Sequence, residues 1–175
     1  MRPAPELSLE TERLRLIAAD ANLIRMELND RPALFAALCV KSPTDWPPPL
    51  NDDASFGYFL GALENDPSFA GWGYWYVIEK QSNQPIGICG FKGRPNEAAA
   101  AEIGYSIIPD RQRRGFATEC VGALIAWCGK EGVRAVIAET LPELTESIRV
   151  MEKNGFTFDG EGAEPGVVRY RRRLT

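Results

Sequence analysis

Between Pro109 and Glu119 the chain reads PDRQRRGFATE, with Arg111, Gln112, Arg113 and Arg114 crowded ahead of Gly115 and an apolar-periodic helix pattern behind it. The first amides of a helix lack an intrahelical acceptor and point outward at the positive end of the macrodipole. Gly115 permits a positive φ and keeps a Cβ out of the path of an approaching anion, while Gln112, Arg113 and Arg114 add side-chain donors. The chemistry on offer is the binding of a phosphate, and a pyrophosphate suits so many donors. The plainer reading, a glycine turn with solvated arginines around it, uses the same residues. The better-known phosphate loops do not match: GxxxxGK[ST] is absent, and GICGFKG, Gly87 to Gly93, lacks GxGxxG spacing and does not open a helix. A nucleotide-phosphate site of the magnesium-dependent kind therefore lacks its other parts.

The chain contains no histidine. That removes the commonest general base, the Ser/His/Asp and Cys/His nucleophile systems, and the usual ligand of a zinc site. Acid–base work falls to carboxylate, tyrosine, lysine, cysteine or water. The four cysteines, Cys39, Cys89, Cys120 and Cys128, show no CxxC spacing, and no metal is expected. Cys120 and Cys128 lie eight apart on one helical pattern, roughly 12 Å of rise, too far for a disulfide, and read as small apolar fillers.

With 175 residues and 45% hydrophobic composition, the chain fits one domain spanning 1–175. A net charge of −4, with acids spread along the chain, argues against a nucleic-acid binder and favours a cationic or neutral substrate. The stretch MRPAPELSLETERLRL has no apolar run of signal-peptide length, and nothing elsewhere approaches the ~20 apolar residues that span a bilayer. No membrane contact and a cytoplasmic location are expected.

These residues must be positioned by the elements around them. ERLRLIAA alternates as a half-buried strand, and Asp20 offers an N-cap to ANLIRMEL. Arg31 to Val40 continues as helix, SPTDWPPPLNDD breaks it, and Asp52 or Asp53 caps ASFGYFLGALEND. GWGYWYVIEK and QPIGICGF form a hairpin across QSNQ, and AAAEIGYSII is the next strand. Gly115 then opens a helix whose Phe116, Cys120, Leu124 and Cys128 make an apolar stripe. VRAVIAET is a buried-type strand, ELTESIRVMEKNG a helix closed by Gly155, and FTFDG and GVVRYRRRL are the last strands. The expected architecture is α/β, a mixed and mostly antiparallel sheet of six to seven strands flanked by helices.

Gln112-Arg113-Arg114-Gly115-Phe116-Ala117 resembles the Q/R-x-x-G-x-G/A signature of the GNAT N-acetyltransferase superfamily. ETERLRL, IGICGFKG, AEIGYSIIPD and SIRVMEKNGF follow in the order and spacing of the branch similar to ribosomal-protein N-terminal acetyltransferases, so that the resemblance covers residues 11–158. It implies a GNAT-like fold with a splayed parallel strand pair at its centre, and acetyl-coenzyme A as co-substrate. It also implies pyrophosphate binding by Gln112, Arg113, Arg114, Gly115, Phe116, Ala117 and Thr118, with Lys153 among the coenzyme contacts. Pantetheine is implied to pair with the main chain at Ser106, Ile107 and Ile108, positions that also read as core strand.

By the same resemblance Glu102 faces the acceptor as base, through water or as an attractor of ammonium, and Ser147 lies near the thioester sulfur. Tyr105 is the alternative proton donor. The plainer roles are an ion-paired glutamate and a helix-start serine. Leu144 departs from the family's frequent asparagine three residues before that serine, and the arginine-rich RQRR replaces an aromatic residue. Trp46 and Pro47 to Pro49, flanked by Asp45, Asp52 and Asp53, form either an aromatic, acidic wall for an amine or a proline-rich surface loop anchored by its tryptophan. The activity implied is acetyl transfer to a primary amine, a protein N-terminus or a small molecule, by direct attack in a ternary complex. A non-catalytic acyl-coenzyme A-binding module on the same fold needs neither Glu102 nor Ser147. The acceptor is left unspecified, and a homodimer is left open.

Overall fold

The computed structural model describes residues 7–175, so the first six residues of the 1–175 boundary lie outside the described residues. A short strand β1 (Ser8–Glu10) pairs with β2 (Leu14–Ala18) and is followed by helices α1 (Ala21–Asn29), α2 (Arg31–Ala37) and α3 (Asp53–Asn65). Strands β3 (Tyr74–Glu79), β4 (Gln84–Phe91) and β5 (Ala100–Ile107) run as an antiparallel meander into helix α4 (Phe116–Lys130). Strand β6 (Ala135–Thr140), helix α5 (Thr145–Lys153), and strands β7 (Thr157–Glu161) and β8 (Val168–Arg173) complete the chain. The eight strands lie in the order β1-β2-β3-β4-β5-β6-β8-β7. This is one strand more than the six to seven expected. The addition is β1, whose three residues, SLE, are too few to show a period of two.

Local chemistry sets the helix ends. Asp20 accepts from the Leu23 amide at 2.8 Å, Asp30 from Ala33, and Asp52, with Ser55, closes a capping box on α3. At the end of α5 the Phe156 amide reaches the Met151 carbonyl and the Gly155 amide that of Glu152, a Schellman stop with Gly155 at φ 78°.

The sheet is covered on both faces. Along β3, Trp75 and Val77 join the core under α4 and α5, while Tyr76 and Ile78 join the core under α1, α2 and α3. Cys89, Cys120 and Cys128 are buried. Among the described residues β5 and β6 form the one parallel pair, linked by α4 as the crossover, and their pairing runs only from Ala100↔Ala135 to Glu102↔Ile137. No helix among the described residues is long and apolar enough to cross a membrane.

Gly90 lies in the middle of this meander, opposite Tyr74 on one side and Gly104 on the other. A Cβ there would stand 2.0 Å from the Gly73 carbonyl oxygen, a backbone atom that no rotamer change can move, whereas a Cβ at Gly104 meets nothing within 4 Å. Gly90→Ala is expected to lose about 2–3 kcal/mol by denaturant unfolding, and Gly104→Ala less than about 0.5 kcal/mol. Equal midpoints for the two variants would contradict this packing.

Candidate active site

The chain leaves β5 through a 3₁₀ turn at Pro109–Arg111 and enters α4 at Gly115, which adopts φ 81° as the N-cap residue. Arg113 is also at positive φ, 61°. No side chain caps α4, so its first amides face outward. The turn is braced from β2 and the residues preceding it. Glu119, in the first turn of α4, accepts from the Thr11 hydroxyl at 2.6 Å, the Arg13 amide at 2.9 Å and Arg13 Nε at 2.7 Å. Arg13 Nη1 donates to the Arg114 carbonyl at 2.9 Å, and its guanidinium lies over the Phe116 ring. Burial pushes the Glu119 carboxyl up, but these donors outweigh it and hold it below its ordinary value. The expected donors are used unequally. Gln112 Nε2 turns back onto the Ile107 carbonyl at 2.8 Å, and Arg113, 80% exposed, pairs with Glu146 of α5 at 2.9 Å.

Beyond Glu102 and Ile137 the parallel strands separate. The Glu102 carbonyl accepts from the Lys92 amide and the Ile108 amide donates to Ile86, so the even-numbered residues of β5 turn their main-chain groups toward β4. By alternation the last rung of the pairing uses the Ile103 amide, and the groups of Tyr105 and Ile107 face the gap. Of the three positions named for main-chain pairing, Ile107 faces the gap, whereas Ser106 turns its groups to β4 and Ile108 gives its amide to Ile86 and its carbonyl to the Arg111 amide. The Ser106 hydroxyl instead donates to the Pro49 carbonyl at 2.6 Å.

A cavity of roughly 1260 Å³ passes through this gap. Its wall includes Tyr105, Ser106, Ile107, Gln112, Arg113, Gly115, Phe116, Ala117, Thr118, Ser147 and Lys153, and leaves out Glu102, Ile108 and Arg114. On the face of α4 and α5, the Tyr105 hydroxyl donates to the Ser147 carbonyl at 2.9 Å and lies 3.0 Å from Ser147 Oγ. Burial pushes the Tyr105 phenol up to about 12, against the hydrogen bond with Ser147. On the opposite face, Glu102 is ion-paired with Lys92, which does line the cavity. Glu139 of β6 lines it too. Burial raises the Glu139 carboxyl, but the Ala163 amide and Arg169 more than offset that and hold it below its ordinary value.

Trp46 does not wall the cavity. Its ring turns inward against Phe35 and Tyr76, and its Nε1 donates to both oxygens of Glu27 at 3.0 and 3.2 Å. The wall on that side is Pro49, Leu50 and Asn51, with Tyr58, Phe59 and Tyr74 behind them. Asp52 is occupied in capping α3. Of the two readings of this loop, the structure has the proline-rich segment anchored by its tryptophan, facing aromatic residues of α3 and β3. Thr11, Arg13, Lys92, Glu119 and Glu139 were not singled out in the sequence. Arg13 and Thr11 fall within ETERLRL, but their role depends on a partner 106 and more residues away.

Outward amides at a glycine turn, nearby cations and an unpaired strand edge fit an elongated ligand with a diphosphate at one end and amides along its arm. The chain matches the family model described as acetyltransferase (GNAT) domain over residues 19–157. It is 28% identical over 159 residues to YjdG, an uncharacterized N-acetyltransferase of Bacillus subtilis, covering 89% of this chain and 93% of the relative. The ribosomal-protein-S5-alanine acetyltransferase of Vibrio fischeri superposes with a TM-score of 0.66 at 17% identity, over 96% of this chain and 97% of that one. RimL, a ribosomal L7/L12 alpha-N-protein acetyltransferase solved with coenzyme A, superposes with a TM-score of 0.67 at 20% identity, over 96% and 98%. At such identities the structural likeness speaks for the fold, and the family match speaks for the chemistry. The chain belongs to the GNAT family of acetyltransferases.

Proposed function

We propose that this chain transfers the acetyl group of acetyl-coenzyme A to a primary amine, a protein N-terminus or a small-molecule amine, by direct attack with both substrates bound. In this reading the chain acts as one acetyltransferase domain. The observation that carries the proposal is the continuity of the cavity through the β5–β6 gap. Gly115 and Ser147 line it on the α4–α5 face, and Pro49, Tyr58 and Tyr74 on the α3 face. Two ligands entering from opposite faces meet beside β5, and bringing reactants together in this way supplies a large part of the catalysis of a bimolecular transfer. The name of RimL, an alpha-N-protein acetyltransferase, lends support to an N-terminal acceptor.

Acetyl-coenzyme A would supply the activated acyl group, its C–S bond breaking as the new C–N bond forms, and coenzyme A would leave as the free thiol. The outward amides of Phe116, Ala117 and Thr118, with Arg113 and Arg114, take the pyrophosphate, Gly115 gives it room, and Lys153 adds a cation from the end of α5. The gap-facing main chain of Tyr105 and Ile107 pairs with the amide-bearing arm. Tyr105 and Ser147 form the proton-donating pair: a phenol with a pKa of about 12 keeps its proton, and the two hydroxyls are close enough to relay it. On the acceptor face, ionised Glu139 and the Glu102–Lys92 pair shape the field at the incoming amine. The carboxylates attract an ammonium, while the Lys92 cation favours the neutral amine that can attack. Glu102, one bond removed from the cavity, acts through Lys92 or water.

Three substitutions test these roles. Gly115→Val places a branched side chain at positive φ and crowds the anion path. It is expected to cost about 3 kcal/mol of coenzyme affinity, roughly a hundredfold by calorimetry, with a native circular dichroism spectrum. Undiminished affinity would remove the turn from coenzyme binding. Tyr105→Phe should lower kcat by about a hundredfold while coenzyme affinity holds, and the wild-type rate should show no loss from phenol ionisation below roughly pH 11. A variant as fast as the wild type would transfer the proton-donor role elsewhere. Glu102→Gln should slow turnover by about tenfold or more and weaken coenzyme binding far less, measured by thiol release. An unaltered rate takes Glu102 out of the chemistry.

A further inference from the structure

The segment Trp46 to Asn51 ends in the three residues, Pro49, Leu50 and Asn51, that wall the cavity on the α3 face, and Pro47, Pro48 and Pro49 occupy its middle. Prolines have no N–H, so this stretch cannot be fastened to sheet or helix by its own backbone donors, and its place depends on side chains at either end. At one end Asn51 Nδ2 donates to the carbonyls of Pro48 and Pro49 at 3.1 and 3.0 Å, and the Ser106 hydroxyl holds the Pro49 carbonyl. At the other end the anchor is Glu27 of α1. Its side chain is 0% exposed, takes the Trp46 indole N–H on both oxygens, and accepts from Arg31 Nε at 3.0 Å. The buried Tyr76 hydroxyl lies beside the same carboxylate without closing a hydrogen bond of standard geometry.

A buried carboxylate is a poor source of net stability, because desolvating it costs several kcal/mol that its partners only repay. What it supplies is direction. An acceptor-only group facing an indole N–H and a guanidinium admits one arrangement of both. We propose that Glu27 is a positioning residue for the acceptor: by holding the Trp46 indole it fixes the proline segment whose Pro49, Leu50 and Asn51 wall the cavity, and so sets which amines fit. Glu27 and Trp46 are themselves outside the cavity wall. The proposal rests on the reading that the acceptor enters on the α3 face.

Glu27→Gln, Glu27→Leu and Trp46→Phe are compared with the wild type by nitrogen NMR relaxation at the amides of Leu50 and Asn51, and by steady-state kinetics with acceptor and coenzyme varied separately. Trp46→Phe keeps an aromatic ring at this position and removes the indole N–H together with the five-membered ring that bears it, so it serves where Glu27→Leu fails to fold. In Glu27→Leu and Trp46→Phe the order parameters of those amides should drop from the rigid range to below about 0.6 and the acceptor KM should rise about tenfold, with coenzyme affinity within about twofold of the wild type. Glu27→Gln, whose Oε1 still accepts the indole, should fall between. Unchanged order parameters in folded Trp46→Phe overturn the clamp. Lower order parameters with an unchanged acceptor KM overturn its role toward the acceptor, and so does a matching loss of coenzyme affinity. A wild type that binds coenzyme but releases no thiol with any amine counts against the transfer reading, while the relaxation measurement still decides the clamp.

Discussion

The parting of β5 from β6 after Glu102 and Ile137 is the constraint on which the rest of the site depends. A parallel pair held in register to its end would satisfy both strands and leave no opening. Here the pairing stops, and the main-chain groups of Tyr105 and Ile107 lose their strand partner. A buried, unpaired backbone group costs about 1–3 kcal/mol, so an edge of this kind must find other partners. Gln112 provides one, turning its amide back onto the Ile107 carbonyl. The remaining groups open into the cavity. Because β5 and β6 run parallel, the helices that follow them, α4 and α5, both start at this end of the sheet.

Holding a strained turn in place falls to a group of residues far away in the chain. Gly115 and Arg113 both sit at positive φ, and the arginine does so without the freedom of glycine. Arg13 meets the turn in three ways, through its amide and guanidinium on Glu119, through the Arg114 carbonyl, and over the Phe116 ring. Each contact is of modest strength near the surface, but they share one side chain whose freedom is lost only once. Thr11 and Glu119 complete the network. The residues leading into β2 thus act as a buttress for the glycine turn at the start of α4.

What could be read from the residues follows the range of the interactions involved. Asp20, Asp52 and Gly155 announce helix ends because capping is settled within a few residues, and the stripe from Phe116 to Cys128 announces α4 because burial repeats with the helix. Gly115 was legible for the same reason: a glycine before an apolar stripe is a local pattern, and the resemblance to the GNAT signature rests on that stretch. That Trp46 anchors its loop was one of the two readings available, but the direction of the anchor was not legible. It depends on a buried carboxylate 19 residues earlier, which looks in sequence like any exposed glutamate of an amphipathic helix. Glu102 was rightly placed on β5, but its pairing with Lys92 follows from the β4–β5 register, which no short window contains. Likewise the direction of the main-chain groups at Ser106 and Ile108 is a matter of strand phase, known only once one hydrogen bond to β4 is known.

The two faces of the sheet are built by different means, and this has a consequence for how the site can vary. On the α4–α5 face the wall combines backbone groups and helix starts, which the fold itself fixes, with the Tyr105–Ser147 pair. On the α3 face the wall is a proline segment with few donors of its own, held by Glu27 at one end and by Asn51 and Ser106 at the other. Residues such as Leu50 and Tyr58, exposed and free of the core, can change there without touching the phosphate turn. Ser106 is the exception, because it stands on β5 and bonds Pro49 from it. The Pro49 wall is thereby tied to the strand that carries Tyr105. That single hydroxyl links the part of the site that can vary to the part that cannot.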